Sequence, residues 1–257
     1  MNKAIIHKGD CLPFMKTLGD ESVDCIVSDP PYGTNFKSDI YDDTKAVVEC
    51  LIPKWYQEMY RVLREGRYCF LFCGILNINV WIDEALKCGF TYKNILATRS
   101  FNRGSASAKG NFVFEFQPII VLCKGKGIQF NKVDFFPQSE EWKKDKRNKH
   151  PSDFTYAYSN WIPSEVTYGT DTFGGGEYVS DFHPNAKSVK LEKFLIEIAT
   201  GKGDIVLDPF LGSGTTGVAA LHTGRDFIGC ELNDKWYESS RRRISECNPL
   251  FSDVKEV

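Results

Sequence analysis

The sequence lacks the features that would place it in a membrane or a secretion pathway. It has no apolar run of about 18 residues, the length that a membrane-spanning helix requires. Its first residues, MNKAIIHKGDCL, contain neither the apolar core nor the small-residue cleavage site of a signal peptide. A large charge excess is also absent: the formal net charge is −2 at pH 7, so overall charge does not indicate a nucleic-acid partner. We therefore expect a globular protein of the cytoplasm.

The nine cysteines lack the spacing of a metal site. No Cys-x-x-Cys pair occurs, and no set of cysteines and histidines has the spacing of a zinc site. Most of the cysteines lie in apolar runs such as YCFLFC, which is typical of buried, reduced thiols. The sequence therefore predicts no metal.

Strand-like apolar runs alternate with helical patterns in the first half of the chain. VDCIVSD (Val23–Asp29) is β-branched and apolar and stops at Pro30. A helical pattern over about 47–64 precedes RYCFLFC (Arg67–Cys73). This pattern contains Pro53, where we expect a break or a first-turn proline. A second helix is predicted over 78–87, and two more strands are predicted in NILATRS and FQPIIVLCKG.

The same alternation returns near the C-terminus. VKLEKFLIEIATG predicts an amphipathic helix, followed by the strand DIVLD, a helix from TTGVAALHTG and the strand DFIGCEL. A closing helix is predicted from NDKWYESSRRRISEC, with Asn233 as its N-cap. This order predicts an α/β fold with a mostly parallel sheet and helices on both faces. Such sheets bind ligands at the carboxyl ends of their strands, where Asp29 and Asp208 both fall.

A glycine pattern lies between the strand DIVLD and the next helix. In LDPFLGSGTTG, Gly212, Gly214 and Gly217 have the spacing G-x-G-x-x-G, and Glu231 ends the next strand. This formally matches the dinucleotide-binding fingerprint, in which the acid binds ribose hydroxyls. The spacing by itself is a weak signal and does not select the nucleotide.

Asp208 distinguishes between ligands. In a dinucleotide domain the helix start receives a pyrophosphate, an anion held by backbone N–H groups. A carboxylate before the glycines suits a cationic ligand end instead, such as the ammonium group of an amino acid. A nucleoside with an aminoacyl and sulfonium tail therefore fits better than NAD. A purely structural glycine turn leaves the acids at both strand ends unexplained.

IVSDPPYGT (Ile26–Thr34) places an acid, two prolines and a tyrosine directly after a strand. The amine of a nucleobase is a poor nucleophile because its lone pair is delocalised into the ring. Asp29 offers a carboxylate acceptor for such an amine, and Pro30 offers a rigidly aimed carbonyl. Tyr32 can stack on the base, which is worth about 1–3 kcal/mol. The stretch predicts a pocket for a planar ring that bears an amine.

DPPY together with DPFLGSGTT resembles the amino-methyltransferases of DNA. The catalytic motif comes first and the cofactor motif near the C-terminus, an order that resembles the permuted β-class of these enzymes. KGDCLPFMKTL, HPNAKSVKLEKFLI and FEFQPIIVLCKGKG resemble further family segments, so the resemblance covers about residues 1–125 and 183–246. It implies a Rossmann-like methyltransferase fold made of a catalytic half (1–123) and a cofactor-binding half (183–257), with a target-recognition insertion (124–182).

The resemblance also implies the chemistry of the site. The cofactor is expected to be S-adenosyl-L-methionine, with direct methyl transfer, no metal and no covalent enzyme intermediate. The expected catalytic residues are Asp29, Pro30, Pro31 and Tyr32. The expected cofactor-binding residues are Asp10, Cys11, Lys187, Asp208, Pro209, Phe210, Gly212, Ser213, Gly214, Thr215, Thr216, Glu231 and Leu232.

The chain departs from the family pattern at two places. Ser188 replaces the proline that usually follows the lysine, which leaves the role of Lys187 open. ATRS replaces the usual Trp-x-Lys, so Arg99 is expected to substitute for that lysine. For Leu232, contact with the cofactor adenine and burial at a strand end stay open as alternatives.

An aspartate at position 29 resembles the adenine-N6 subset of the family, whereas serine is usual in cytosine-N4 enzymes. Four alternatives stay open: a cytosine-N4 methyltransferase, an enzyme that acts on RNA, a non-catalytic subunit that binds nucleic acid, and a nicotinamide oxidoreductase suggested by the glycine spacing alone. The acid and the motif order argue against a methyltransferase that acts on protein glutamine.

DNA contacts are predicted in the middle of the chain. EWKKDKRNKH (Glu141–His150) on its own is typical of a solvated loop. With a DNA substrate it predicts phosphate contacts, made by Lys143, Lys144, Lys146, Arg147 and Lys149. Duplex DNA would have to release the target base from its stack. The family implies a homodimer, and the sequence leaves open the recognition site and whether the enzyme is paired with a restriction endonuclease.

Overall fold

Strands and helices alternate along the chain as the apolar runs predict. The computed structural model describes residues 2–33, 43–99, 116–133, 161–162, 187–247 and 254–256. The strands are β1 Ala4–Lys8, β2 Val23–Ser28, β3 Leu63–Phe72, β4 Phe90–Arg99, β5 Phe116–Lys124, β6 Trp161–Ile162, β7 Ile205–Asp208, β8 Asp226–Glu231 and β9 Val254–Glu256. The helices are α1 Cys11–Met15, α2 Lys45–Val62, α3 Ile78–Lys87, α4 Val189–Ala199, α5 Thr215–His222 and α6 Asp234–Glu246, with a short 3-10 turn at Ile75–Asn77.

The described strands form one mixed, mostly parallel sheet in the order β6-β4-β5-β3-β2-β7-β8-β1-β9. Only β5 runs antiparallel to its neighbours β3 and β4 among these strands. β2 lies near the centre, and Ile26 pairs with Cys69 of β3 and with Leu207 of β7. The carboxyl ends of β2 and β7 are therefore adjacent, which brings Asp29 and Asp208 to the same edge of the sheet.

Helices cover both faces of the sheet, as predicted. Cys25 and Val27 of β2 belong to a core cluster that includes residues of α4, α5 and α6. Ile26, between them, belongs to a second cluster that includes residues of α1, α2 and α3. Successive side chains of a strand point to opposite faces, so the wholly buried β2 contributes to both layers.

Pro53 does not interrupt its helix, so the expectation of a break or a first-turn proline is wrong. The helix α2 runs from Lys45 to Val62 with Pro53 in its interior. An interior proline removes one backbone hydrogen bond and costs about 3 kcal/mol. The helix buries a long apolar face that includes Ile52, Trp55 and Met59, and this tertiary packing outweighs the local cost.

All nine cysteines are free thiols, and six of them are buried. Cys50 is exposed, so the expectation of buried thiols does not hold at that position. Among the described residues, no helix is long and apolar enough to cross a membrane.

The expected insertion over 124–182 falls mostly outside the described residues, and its boundaries stay a prediction. Two of its residues, Trp161 and Ile162, form β6 and pair in parallel with Ala97 and Thr98 of β4. This part of the segment thus extends the edge of the sheet.

Candidate active site

The ends of β2 and β7 are joined through Asp208. Its carboxylate accepts hydrogen bonds from the Ser28 hydroxyl (2.5 Å), the Thr216 hydroxyl (2.7 Å) and the Phe210 backbone N–H (3.0 Å). The side chain is buried, with 3% of the residue exposed. Burial raises the pKa of Asp208 to about 6, and the three hydrogen bonds oppose this shift. Asp208 therefore connects the strand ends to the start of α5.

The glycines of the turn allow two helices to pack closely. Gly214 has φ +80° and is the N-cap of α5, and a Cβ there would lie 2.9 Å from the Ser240 Cβ. A Cβ at Gly217 would lie 2.5 Å from Ile244 Cδ1. Part of the G-x-G-x-x-G pattern thus has a structural cause, the close contact between α5 and α6.

The other residues of the turn differ in exposure. Gly212 and Phe210 are partly exposed, so they are the members of the turn that reach the surface of the site. The buried members are Pro209, Ser213, Gly214, Thr215 and Thr216.

Glu231, at the end of β8, holds the turn from the opposite side. Its Oε2 accepts from the Gly212 N–H at 2.7 Å, and its Oε1 accepts from the Asn233 N–H at 2.8 Å. Burial raises the pKa of Glu231, and these backbone hydrogen bonds oppose the shift. Asn233 is the N-cap of α6, as predicted.

Asp10 and Cys11 lie beside Glu231 because β1 pairs with β8. The Gly9 N–H donates to the Glu231 carbonyl at 2.9 Å. Asp10 is exposed and caps α1 by accepting from the Leu12 N–H at 2.9 Å. Cys11 is 6% exposed, and burial raises the pKa of its thiol. The sheet therefore brings Asp10 and Glu231 together at one edge.

Leu232 follows Glu231 and is 52% exposed. This exposure excludes burial in a strand-end core, one of the two alternatives that the sequence left open. An exposed apolar side chain next to Asp10 and Glu231 is available to a planar ligand.

Asp29 and Tyr32 are in direct contact in the loop after β2. The Tyr32 hydroxyl donates to Asp29 Oδ1 and accepts from Gln117 Nε2 at 2.5 Å. Asn77 Nδ2 donates to the Tyr32 backbone carbonyl at 2.5 Å. Burial and the neighbouring Asp29 charge raise the pKa of Tyr32 well above its ordinary value. Pro30, between them, is buried, and Pro31 is partly buried.

Lys187 contacts Asp29. Its Nζ lies 2.6 Å from Asp29 Oδ2, and the two side chains are 16% and 26% exposed. The Lys187 Nζ also lies 5.1 Å from the centroid of the Phe72 ring. The structure therefore places Lys187 against the loop that follows β2, and its predicted contact with the cofactor stays a prediction.

Sequence reasoning missed two charged residues near these groups. Arg243 is 6% exposed, and its Nη1 donates to the Ser213 carbonyl (3.0 Å) and the Thr215 hydroxyl (2.9 Å). Glu192 in α4 is 2% exposed. Burial raises the pKa of Glu192 well above its ordinary value, Asp208 and Asp29 raise it further, and Lys187 opposes the shift.

The predicted DNA-contact residues Lys143, Lys144, Lys146, Arg147 and Lys149 lie outside the described residues. The side chain of Arg99 also lies outside the described part of the chain. Within that part, no group of three or more His, Cys, Asp and Glu side chains is arranged to hold a metal ion.

Comparison with known proteins agrees with this geometry. A family model described as DNA methylase matches residues 23–242. The DNA adenine methyltransferase YhdJ of Escherichia coli (strain K12) is 32% identical over 256 residues, which cover 94% of this chain and 82% of YhdJ.

Two solved structures share the fold. The crystal structure of the M1.HpyAVI–SAM complex has a TM-score of 0.65 and 23% identity, and the match covers 94% of this chain and 98% of that one. The PvuII DNA methyltransferase, named as cytosine-N4-specific, has a TM-score of 0.74 and 16% identity, with 99% and 89% of the two chains covered.

The family match extends from the first residue of β2 into α6, so it includes the loop of Asp29 and the turn between Asp208 and Glu231. The sheet order places those two segments side by side, which gives the match a structural basis as well as a statistical one. The chain belongs to the N6/N4 DNA methylase family.

Proposed function

We propose that the protein transfers a methyl group from S-adenosyl-L-methionine to the exocyclic N6 of adenine in DNA. One observation carries this proposal. The Asp29 carboxylate and the Tyr32 ring are hydrogen-bonded to each other, and they lie at the same edge of the sheet as Asp208 and Glu231. An acceptor for an amine and a receptor for a nucleoside with a cationic tail are thus neighbours.

The donor set at this edge fits the cofactor. Each carboxylate oxygen of Glu231 accepts one backbone N–H, and a carboxylate oxygen can accept two hydrogen bonds. Glu231 therefore keeps capacity for ribose hydroxyls. Asp10, also a carboxylate, would accept from the adenine amine, and Leu232 would cover the face of that ring.

Asp208 would act on the methionine end. With a pKa of about 6, its carboxyl group is mostly ionised at neutral pH, and a nearby cation would favour the ionised form further. The N–H groups of the glycine turn, held in place by Glu231, Arg243 and the α5 cap, would receive the carboxylate group. When bound, S-adenosyl-L-methionine supplies a methyl group on a sulfonium centre.

Asp29, Pro30 and Tyr32 would act on the target base. The Asp29 carboxylate and the Pro30 carbonyl would accept hydrogen bonds from the two N–H bonds of the amine. They would thereby hold the amine in an orientation in which its lone pair is less conjugated with the ring. The Tyr32 ring would stack on the base. Gln117 would hold the hydroxyl of that ring, and Asn77 would hold the Tyr32 backbone carbonyl. Transfer would form an N–C bond at the amine as the C–S bond of the sulfonium breaks, which would leave a neutral thioether. The proton that the amine loses would pass to its acceptor Asp29 and from there to water.

The test is methyl transfer from labelled S-adenosyl-L-methionine to duplex DNA, single-stranded DNA and RNA, followed by mass spectrometry of the nucleosides. N6-methyladenine in DNA is the expected product. If the product is N4-methylcytosine, the target base is cytosine, the second candidate. Cofactor binding without transfer to any substrate would favour a non-catalytic subunit.

Several finer parts of the proposal come from the sequence and its family resemblance. They are duplex DNA with a flipped-out target base, phosphate contacts by the basic stretch Glu141–His150, a homodimer, pairing with a restriction endonuclease and a cytoplasmic location. They stay predictions because the described residues do not test them.

A further inference from the structure

Both oxygens of the Asp29 carboxylate contact donors from the protein itself. The Tyr32 hydroxyl donates to Oδ1, and the Lys187 ammonium lies 2.6 Å from Oδ2. If Asp29 receives the amine of the target base, as the proposed function requires, that amine meets an acceptor that is already in use. Each carboxylate oxygen can accept two hydrogen bonds, so the amine either shares an oxygen with one of these donors or takes the place of that donor.

Lys187 is the donor better able to move. Tyr32 is held at three points, by Asp29, Gln117 and Asn77. The Lys187 ammonium is carried on a flexible four-carbon chain, and its contacts are the Asp29 oxygen and the face of the Phe72 ring. An aromatic face within about 6 Å stabilises a cation without fixing its direction. The ammonium can therefore leave Asp29 and stay near Phe72.

A second acceptor lies next to this position. Glu192 is 2% exposed, and its Oε2 has no hydrogen-bond partner among the described residues. The carboxyl group has a hydrogen bond with Thr216, so the remaining oxygen, Oε2, is the buried polar atom that calls for an explanation. Lys187 directly precedes Ser188, the N-cap of α4, and Glu192 lies in the first turn of that helix, where its N–H donates to the Ser188 carbonyl at 3.1 Å. Glu192 is therefore close to Lys187 in the fold, and the ammonium opposes the raised pKa of its carboxyl group.

We propose that Lys187 is a positioning residue with two partners, bound to Asp29 before the target base enters and to Glu192 afterwards. The proposal rests on the function proposed above. In the first state Lys187 holds the Asp29 carboxylate in the geometry that the amine needs. In the second state Glu192 takes up the ammonium, so that the amine gains Asp29 Oδ2 without leaving a buried cation unpaired. Lys187 then does not bind the cofactor.

Two variants separate these roles. Lys187→Met removes the charge but keeps an apolar chain against Phe72, and we expect kcat to fall about tenfold or more while the cofactor Kd changes by less than about threefold. Lys187→Arg keeps the charge and should recover part of the lost kcat. Lys87→Met, at an exposed lysine paired with Glu84 on α3, is the matched control and should behave as wild type.

Glu192→Gln tests the second partner. It should lower kcat in the wild-type background but have little further effect in Lys187→Met, because the two residues act in one step. Cofactor Kd is measured by calorimetry for the single variants and the double variant. Thermal unfolding of each protein shows whether it folds. If Lys187→Met does not fold, the combination of Lys187→Arg with Glu192→Gln gives the same comparison.

Each other outcome has a definite meaning. A tenfold weaker cofactor affinity with unchanged kcat at saturation would make Lys187 a cofactor residue and overturn the proposal. If the losses of kcat in the two single variants add up in the double variant, Glu192 is not the second partner of Lys187. A wild-type protein that methylates no substrate would refute the proposed function itself, whereas an active wild type with an equally active Lys187→Met would refute only the role of Lys187.

Discussion

The Ser28 hydroxyl donates a 2.5 Å hydrogen bond to Asp208 Oδ1 and thereby joins the end of β2 to the end of β7. The two residues lie 180 positions apart in the chain. Both are buried, so water cannot replace the bond. This contact fixes the distance between the loop that would hold the target base and the carboxylate that would face the cofactor.

Replacing Ser28 by alanine should therefore destabilise the protein. Removing one donor from a buried carboxylate costs about 1–3 kcal/mol, and we expect that loss in the free energy of unfolding measured with urea. Ser22→Ala is the control, since the Ser22 hydroxyl donates to the Gly19 carbonyl in an exposed turn. An equal loss of unfolding free energy in both variants would show that the Ser28–Asp208 hydrogen bond stabilises the protein no more than an exposed one.

The raised pKa of Asp208 predicts how stability changes with pH. Burial raises it from 3.8 to about 6 in the folded protein, so the folded state holds a proton that the unfolded state releases. The stabilising contribution is complete below pH 3.8 and is lost as pH rises through about 6. A shift of about 2 units corresponds to about 3 kcal/mol.

The measurement compares wild type with Asp208→Asn, whose amide imitates the protonated carboxyl group. The free energy of unfolding of wild type relative to the variant should fall between about pH 4 and pH 6 and then stay constant. A difference that does not change across this interval would mean that Asp208 is ionised throughout. Because Asp208 is one of the groups that raise the pKa of Glu192, the comparison is repeated in a Glu192→Gln background, where that group cannot titrate.

Local patterns predicted most of the fold because the central strands are continuous apolar runs and the helices have clear amphipathic spacing. All six residues of β2 are buried, and such a run has few alternatives to a central strand. The prediction at Pro53 was wrong because it weighed the local cost of proline without knowing the apolar face that α2 buries.

The site was only partly predictable. Asp29, Asp208 and Glu231 could be chosen as candidates because each lies at the end of a recognisable strand or directly after it. The contacts of Lys187 with Asp29 and of Gln117 with Tyr32 connect distant segments, so no local pattern reports them. Arg243 was not recognised because it belongs to the run of three arginines Arg241–Arg243, and such a run is typical of a solvated surface. Its signal was the helical spacing of the buried residues Tyr237, Ser240 and Ile244.

Gly217→Ala should destabilise the protein although alanine favours a helix. A Cβ at position 217 would lie 2.5 Å from Ile244 Cδ1 and 2.9 Å from Phe227. Overpacking of this kind costs about 1–3 kcal/mol, against a gain of about 1 kcal/mol from helix propensity. The midpoint of thermal unfolding should therefore fall.

Two further variants check this explanation. Gly201→Ala places its Cβ 3.9 Å from the nearest atom and should leave the midpoint nearly unchanged. Gly217→Ala combined with Ile244→Val removes the closest methyl group and should recover part of the loss. A fully stable Gly217→Ala would show that α5 and α6 can move apart freely.

Asp29 should be needed for methyl transfer but much less for cofactor binding. Asp29→Ala removes the acceptor that the target amine requires, whereas Asp208, Glu231 and the glycine turn keep their own hydrogen bonds. Loss of one preorganised electrostatic contact lowers kcat about 100- to 1,000-fold. We expect at least this loss in transfer of labelled methyl groups to DNA, with a cofactor Kd near that of wild type.

Asp83→Ala, at an exposed acid on α3, is the matched control and should transfer normally. Asp29→Asn keeps the side-chain volume and one oxygen acceptor, so its activity should lie between those of wild type and Asp29→Ala. Turnover like that of wild type in Asp29→Ala would remove Asp29 from the reaction and would move the search for the base-binding pocket to another edge of the sheet.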